Sequence, residues 1–138
     1  MSEKLLLWLQ FLCSGWMTSL IWTIQLLHYP SFNFIEKKKI KDFSNFHQKK
    51  ISLLVMPPMI IEIISLIFLI YINPENKIYQ ISTFLLGLIW ASTLFLQVPC
   101  HHRLSQGDNK VIARLINSNW IRTTAWTIKS FLILKLLT

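Results

Sequence analysis

Glycine, cysteine and acidic residues are scarce in this chain, and each shortage excludes a class of protein. It has 3 Gly, 2 Cys and only 6 Asp and Glu together. So few Gly, with only 5 Pro, leave no flexible linker or low-complexity tail. The two cysteines, Cys13 and Cys100, fall in or beside apolar blocks, which argues against a disulfide framework. There is also no Gly-x-Ser-x-Gly elbow, phosphate-binding glycine loop or dinucleotide fingerprint, so nothing supports hydrolytic or nucleotide chemistry.

Long apolar blocks take up most of the chain. Of its 138 residues, 53% are hydrophobic and 14% are charged, a balance too apolar for a soluble domain. Each block is close to the roughly 20 residues that an α-helix needs to cross about 30 Å of hydrocarbon. The sequence therefore predicts an all-α fold, a four-transmembrane-helix bundle forming a single integral membrane domain over residues 1–138. The predicted spans are about 5–27, 51–72, 78–98 and 120–137.

The two longer connections alternate apolar and basic residues. Ser31 to Lys50 places phenylalanines among lysines, and Gly107 to Ser118 places Val, Ile and Leu against charged residues. This pattern predicts two short amphipathic interfacial helices, the second capped at its start by Asp108 or Ser105.

The positive charge lies beside the apolar blocks, where it controls topology. A net charge of +8 suggests nucleic acid, but lysines in this position favour contact with the lipid bilayer instead. The expected partners are anionic lipid headgroups, bound through Lys37, Lys38, Lys39 and Lys41, with no nucleic acid. The positive-inside rule predicts both termini outside and both long connections in the cytoplasm.

Every predicted span keeps polar residues, and these recur at helical spacing. Polar groups inside a bilayer face the bundle interior, because lipid cannot satisfy them. Spacings of three and four put each set on one helix face. The four sets are Thr18, Trp22, Gln25 and His28; Met59, Glu62 and Ser65; Trp90, Thr93, Gln97 and His101; and Asn119, Arg122, Trp126 and Lys129.

Glu62 and Lys129 are expected at similar depth. Both lie roughly 14–16 Å into their helices at 1.5 Å per residue. An unpaired carboxylate at that depth would be driven to its neutral form. The sequence therefore predicts a Glu62–Lys129 pair inside the bundle, with Arg122 as a competing partner.

The histidines raise the question of a cofactor. His28, His47 and His101, together with Glu62, are candidate metal ligands, since imidazole and carboxylate suit Zn, Cu or Fe. Two histidines from different spans could instead hold a haem. Trp22, Trp90 and Trp126 could line a cavity for a flat ligand such as a quinone. The plain alternatives are interfacial histidines and core tryptophans, and no spacing matches a known ligand motif.

Four phrases carry a resemblance over nearly the whole chain: His28-Tyr29-Pro30, Pro57-Pro58-Met59, Gln97-Val98-Pro99 with His101-His102-Arg103-Leu104, and Asn119-Trp120-Ile121-Arg122. In these the chain resembles a family of uncharacterised small four-span bacterial integral membrane proteins, which implies a bacterial inner membrane and no assigned activity. More distantly, its size and Asn-x-x-Arg feature resemble the anthrone-oxygenase-like membrane proteins. That resemblance implies oxidation of an aromatic substrate at the cytoplasmic end of the bundle.

Two hypotheses follow, from different classes. In the first, a polar cluster at the cytoplasmic end binds a metal ion, haem or quinone at a redox site. The expected cluster is Gln25, His28, Glu62, Gln97, Asn119, Arg122 and Lys129, and whether it makes the protein an enzyme is left open. In the second, the protein is a non-enzymatic assembly or partner-binding subunit, and its polar residues only hold the helices together. A homo-oligomer is compatible with both.

Overall fold

A computed structural model describes residues 2–138, and these form four long helices without a β-strand. Helix α1 spans Glu3–Phe34, α2 spans Lys37–Ile72 and α3 spans Lys77–Ser105. A 3₁₀ turn at Asn109–Val111 leads into α4, Ile112–Leu137. Helices α1, α2 and α3 are long and apolar enough to cross a membrane. The all-helical architecture and the membrane character of three helices therefore agree with the prediction.

The connections between helices are short and capped. Asn76 caps α3 by accepting hydrogen bonds from the backbone N–H groups of Ile78 and Tyr79. Gly107, at φ 90°, turns the chain after α3 through a conformation that other residues rarely adopt. Asp108, one of the two predicted caps, accepts a hydrogen bond from the backbone N–H of Lys110. These short turns make chain neighbours antiparallel and bring α1, α2, α3 and α4 into one bundle.

The helices form an incompletely closed ring. Helix α1 packs against α2 and α4, and α4 packs against α3, whereas α2 and α3 contact each other more sparsely. Large apolar side chains cover the outer surface, among them Leu53, Ile67 and Phe95, all more than 60% exposed. An apolar exterior of this extent fits a lipid-facing surface. The sparse α2–α3 seam is the part of the ring where space remains.

The helices extend beyond the predicted spans, and the two predicted interfacial helices are not separate elements. Residues 37–50 form the first turns of α2, and the residues after Val111 run without a break into α4. Ile40, Ser44 and His47 form one buried face of α2 while the lysines around them are exposed. Because these residues are spaced by four and three, they continue the buried face of the rest of α2. Residues 37–50 are therefore part of that helix and not a separate interfacial one.

Two prolines predicted to end helices lie within them instead. Before Pro30 and Pro99, α1 and α3 each contain a π-helical turn, at Ile24–His28 and Thr93–Gln97. In these turns the N–H of Tyr29 bonds to Ile24 O and that of Val98 bonds to Thr93 O, five residues back. The wider turn accommodates the missing N–H and the ring of the proline that follows, and such turns are common at functional sites. Because α3 continues, His101 remains on the bundle.

Helix α2 also continues through Pro57 and Pro58. Pro58 has no N–H to offer the carbonyl of Leu54, four residues before it. Trp16 of α1 supplies a replacement, because its indole Nε1 donates a hydrogen bond to Leu54 O at 3.3 Å. The proline pair thus frees a carbonyl, and a neighbouring helix satisfies it.

Candidate functional site

A buried ion pair joins α2 and α4 in the middle of the bundle. Lys129 Nζ lies 2.7 Å from Glu62 Oε1, and both side chains are 0% exposed. Lys129 also donates hydrogen bonds to Gln10 Oε1 at 2.6 Å and to Ser14 Oγ at 2.7 Å. Glu62 accepts further hydrogen bonds from Ser14 Oγ and from Trp126 Nε1. The predicted Glu62–Lys129 pair is present, and it is surrounded by donors and acceptors that satisfy it.

This mid-bundle network contains two residues that the sequence analysis missed. Gln10 and Ser14 lie four positions apart in the first apolar block, so both fall on one face of α1. Gln10 also donates hydrogen bonds to Glu62 O and Ser65 Oγ of α2. The polar pair Gln10 and Ser14 within the apolar block was the signal that could have found them. With all its polar groups partnered, the network holds α1, α2 and α4 together.

Arg122 forms a second, separate cluster towards the lysine-rich end of the bundle, where α2 begins. Its guanidinium donates two hydrogen bonds to Asn119 Oδ1, at 3.0 Å from Nε and 2.6 Å from Nη2. Longer bonds reach Thr93 Oγ1 at 3.3 Å and the Tyr29 hydroxyl at 3.4 Å. Asn119 donates in turn to Gln25 Oε1 at 2.8 Å. The arrangement fixes the guanidinium through neutral partners contributed by α1, α3 and α4.

Arg122 is only 6% exposed and has no carboxylate partner among residues 2–138. The ion pairs found there join other residues, and Glu62 is occupied by Lys129. The expected competition between Arg122 and Lys129 for Glu62 is therefore wrong. A buried cation without an anion is costly, since neutral dipoles only partly replace its hydration.

Three of the candidate metal ligands, His28, His47 and His101, lie together. The rings of His28 and His47 stack with their centroids 4.2 Å apart, and His101 lies 5.2 Å from His47. His101 Nε2 hydrogen-bonds to the hydroxyl of Tyr29 at 3.1 Å. Three buried imidazole nitrogens have no hydrogen-bond partner within the protein: His28 Nε2, His47 Nε2 and His101 Nδ1. Buried groups of this kind are normally satisfied by ordered water or by a ligand.

The histidines do not form the predicted metal site. Glu62 lies fifteen residues after His47 on the same helix, about 22 Å along its axis at 1.5 Å per residue. Within residues 2–138 no group of three or more His, Cys, Asp and Glu side chains is arranged to hold a metal ion. The expected ligand set is therefore wrong in including Glu62, whereas metal binding by the three histidines alone stays a prediction.

A cavity of about 250 Å³ lies between these clusters and the α2–α3 seam. Its polar end is formed by Tyr29, His101 and Arg122, and its remaining walls are mostly apolar. Trp90 and Trp126 line it as predicted. Trp22 does not line it: that indole is 37% exposed and donates to Thr127 Oγ1 on the outside of the bundle.

Besides His101 Nδ1, two polar atoms at this cavity lack hydrogen-bond partners within residues 2–138. Gln97 donates through Nε2 to Ser118 Oγ at 2.8 Å, but its buried Oε1 is unpaired. Trp90 Nε1 is likewise buried without a partner. The cavity therefore offers a buried cation, hydrogen-bonding groups and two flat aromatic walls to whatever enters it.

The predicted single polar cluster is thus divided into two. Glu62 and Lys129 belong to the mid-bundle network, whereas Gln25, Asn119 and Arg122 form the other cluster, with Gln97 and His28 at its margins. Tyr29, which joins Arg122 to His101, was not among the predicted residues. It lies beside a proline just past the end of a predicted span, and it belongs to none of the four sets of polar residues spaced by three and four.

No family model, curated protein or solved structure matches this chain. Its function is therefore inferred from the chemistry of the Arg122 cluster and the cavity beside it.

Proposed function

We propose that this membrane protein binds a flat, apolar ligand that presents a carbonyl or ionised oxygen to Arg122, with quinones as the representative class. The observation that carries the proposal is the buried guanidinium without a carboxylate, placed at the polar end of an apolar cavity. An oxygen acceptor there would compensate the positive charge of Arg122, whose hydrogen-bond partners within the protein are all neutral. Charge-assisted hydrogen bonds of this kind are among the strongest in proteins.

The shape and chemistry of the cavity support a ring-shaped ligand. Trp90 and Trp126 provide flat walls, and aromatic faces pack favourably against a planar ring. His101, held by the Tyr29 hydroxyl at 3.1 Å, adds a second hydrogen-bonding group at the same polar end, beside Arg122. A 1,4-benzoquinone fits this arrangement with one acceptor oxygen at the polar end and its ring between the mostly apolar walls.

A second candidate function is supported by the mid-bundle network. Every charged atom of Glu62 and Lys129 has partners within the protein, as expected of polar groups that only hold helices together. In this interpretation the protein is a non-enzymatic membrane subunit. The two candidates differ at Arg122, because helix association alone gives no reason to bury an uncompensated cation beside a cavity.

The proposal includes the membrane arrangement of the whole chain. Helix α4 crosses the bilayer with the other three, because Arg122 and Lys129 are buried in the bundle and leave an apolar outer face. The exposed Lys37, Lys38, Lys39 and Lys41 then contact anionic headgroups on the cytoplasmic side, with both termini outside. Reporter fusions at the C-terminus and in the connection at residues 106–108 test this, and fusions active on the same side would contradict it.

The binding test uses tryptophan fluorescence quenching of the detergent-purified protein by a short-tailed quinone, 2,3-dimethoxy-5-methyl-1,4-benzoquinone. Losing a charge-assisted hydrogen bond of about 1.5–3 kcal/mol should weaken binding about 10- to 150-fold in Arg122→Gln. Arg122→Lys keeps the charge but loses the fork on Asn119, so we expect intermediate affinity.

Arg114→Gln is the matched control, since Arg114 lies on the same helix and is exposed. It should bind like the wild type. Circular dichroism and gel filtration establish that the variants are folded. Equal affinities for the wild type, Arg114→Gln and folded Arg122→Gln would refute the ligand proposal and leave the helix-holding function.

A further inference from the structure

A second space follows the cavity along the same two helices. It is an apolar groove of about 410 Å³, lined by Ile63, Leu66, Ile67 and Ile70 of α2 and by Thr83, Leu86, Gly87 and Trp90 of α3. Trp90 also lines the cavity, so one side chain marks the junction. We call this second space the tail groove.

The cavity and the tail groove together follow the α2–α3 seam for most of the bundle. From His101 at the polar end to Thr83 in the tail groove, α3 rises about 27 Å at 1.5 Å per residue, close to the roughly 30 Å of membrane hydrocarbon. Polar groups are confined to one end. Beyond Trp90 the lining is apolar apart from Thr83, whose hydroxyl donates to Tyr79 O within its own helix.

The cavity opens sideways rather than only at its end. Met56 of α2 and Leu94 and Val98 of α3 line it and are all at least 43% exposed. These side chains lie on the outer, apolar surface of the bundle, which would face lipid. A ligand dissolved in the bilayer can therefore reach Arg122 between α2 and α3 without crossing the aqueous phase.

We infer that the ligand is a membrane lipid with a long hydrocarbon tail of prenyl or acyl type. This inference rests on the proposed function: the head binds at Arg122, and the tail runs past Trp90 into the tail groove. The cavity alone, at about 250 Å³, is smaller than the sites of about 300–1,000 Å³ that small molecules usually occupy. The tail groove adds the missing volume, and its lining is apolar.

A hydrocarbon chain fits this groove better than a partner helix does. An α-helix with its side chains is about 10–12 Å wide, so it would cover the seam without following the groove inward past Trp90. A flexible chain can turn at that junction and remain joined to a head in the cavity. A partner helix that packs on Thr83 and Gly87 is the competing occupant. Photolabelling distinguishes it from a hydrocarbon tail.

The test uses decyl-substituted 2,3-dimethoxy-5-methyl-1,4-benzoquinone with a photoreactive alkyl diazirine at the end of its tail. The protein is reconstituted in phosphatidylcholine vesicles, irradiated and digested, and the labelled peptides are identified by mass spectrometry. We expect label on residues 63–70 of α2 and 83–90 of α3. Gly87→Leu should reduce that label about fivefold or more, because its side chain occupies the space of the tail.

Gly15→Leu is the matched control. A Cβ at Gly15 or at Gly87 meets no atom within 4 Å, so both variants should fold, but Gly15 lines neither space. It should label like the wild type. Binding of the short-tailed quinone should be unchanged in both variants, because the head does not reach the tail groove.

The outcomes separate the two proposals. Label spread evenly over the outer surface, or groove label that Gly87→Leu leaves unchanged, would overturn the tail groove even if Arg122→Gln still weakens binding of the short-tailed quinone. If Arg122→Gln does not weaken binding of the short-tailed quinone, the proposed binding site at Arg122 is itself overturned. Crosslinks between two copies of the chain through residues 83–87 would assign the groove to a partner helix and overturn the tail.

Discussion

Lys129 Nζ and Glu62 Oε1 are 2.7 Å apart in the centre of the bundle, and neither side chain is exposed. The two residues lie on helices α4 and α2, with Gln10 and Ser14 of α1 bonded to both of them or to their backbone. A charge pair in this position can form in only one rotational orientation of each helix about its own axis. It therefore specifies the packing of three helices at once.

Breaking this pair from one side should be strongly destabilising. Glu62→Gln leaves Lys129 charged and Lys129→Met leaves Glu62 charged, so each should lower the free energy of unfolding by about 3–5 kcal/mol. The double variant should lose less than the sum, because it leaves no unpaired charge. Denaturant unfolding in detergent measures all three. Lys135→Met, an exposed lysine on the same helix, should be neutral, and additive effects of the two buried changes would contradict the pairing.

Asn119→Asp should weaken ligand binding without unfolding the protein. The new carboxylate would replace the amide oxygen that now accepts two hydrogen bonds from Arg122, and an Arg–carboxylate pair would satisfy the guanidinium internally. We expect affinity for the short-tailed quinone to fall at least about tenfold, corresponding to about 1.4 kcal/mol. Asn117→Asp, at an exposed position two residues away, should bind normally. Unchanged binding in folded Asn119→Asp would show that Arg122 does not contact the ligand.

Trp16→Phe should destabilise the protein more when Pro58 is present than when it is replaced by alanine. The change removes the donor to Leu54 O, and a lost hydrogen bond costs about 0.5–1.5 kcal/mol. In the Pro58→Ala background the alanine N–H can take that carbonyl, so Trp16→Phe should then cost less. A double-mutant cycle in thermal unfolding measures the coupling. Trp8→Phe on the same helix serves as the control, and a cost of Trp16→Phe that is equal in both backgrounds would refute the account.

The hairpin between α3 and α4 should weaken in acid. Arg103 Nη2 lies 2.6 Å from Asp108 Oδ2, and its hydrogen bond, with a second from the Lys110 N–H, holds the pKa of Asp108 below its usual value. A lowered pKa in the folded state means that this contribution to stability is present at neutral pH and is lost as the pH falls through that pKa. Amide hydrogen exchange of residues 106–111 should show more protection than in Asp108→Asn at pH 7, with the difference disappearing in acid.

Asp42→Asn is the control for the acid measurement, because Asp42 is exposed and forms no ion pair within residues 2–138. It should leave the protection of residues 106–111 unchanged at every pH. A difference between the wild type and Asp108→Asn that persists below the pH at which Asp108 becomes protonated would exclude the Arg103–Asp108 pair as its cause.

Much of the bundle could be predicted from residue spacing. The apolar blocks identify the helices, and polar residues three and four apart identify their inner faces, because lipid leaves such groups no other place. Equal depth was enough to pair Glu62 with Lys129. Spacing could not show how far each helix continues, since a proline often ends a helix. In this bundle the prolines at 30, 57, 58 and 99 all lie within helices, those at 30 and 99 after a π turn.

The sequence by itself determined that this chain is all-helical, that its inner faces carry Gln25, Glu62, Asn119, Arg122 and Lys129, and that Glu62 has a cation at its depth. Those properties depend on composition and helical period, which are local. Only the tertiary structure decided that Arg122 has no carboxylate partner among residues 2–138, that the rings of His28 and His47 stack, and that α2 and α3 separate around a cavity. These depend on the rotation and distance of helices far apart in sequence, which are set by the packing of all four together.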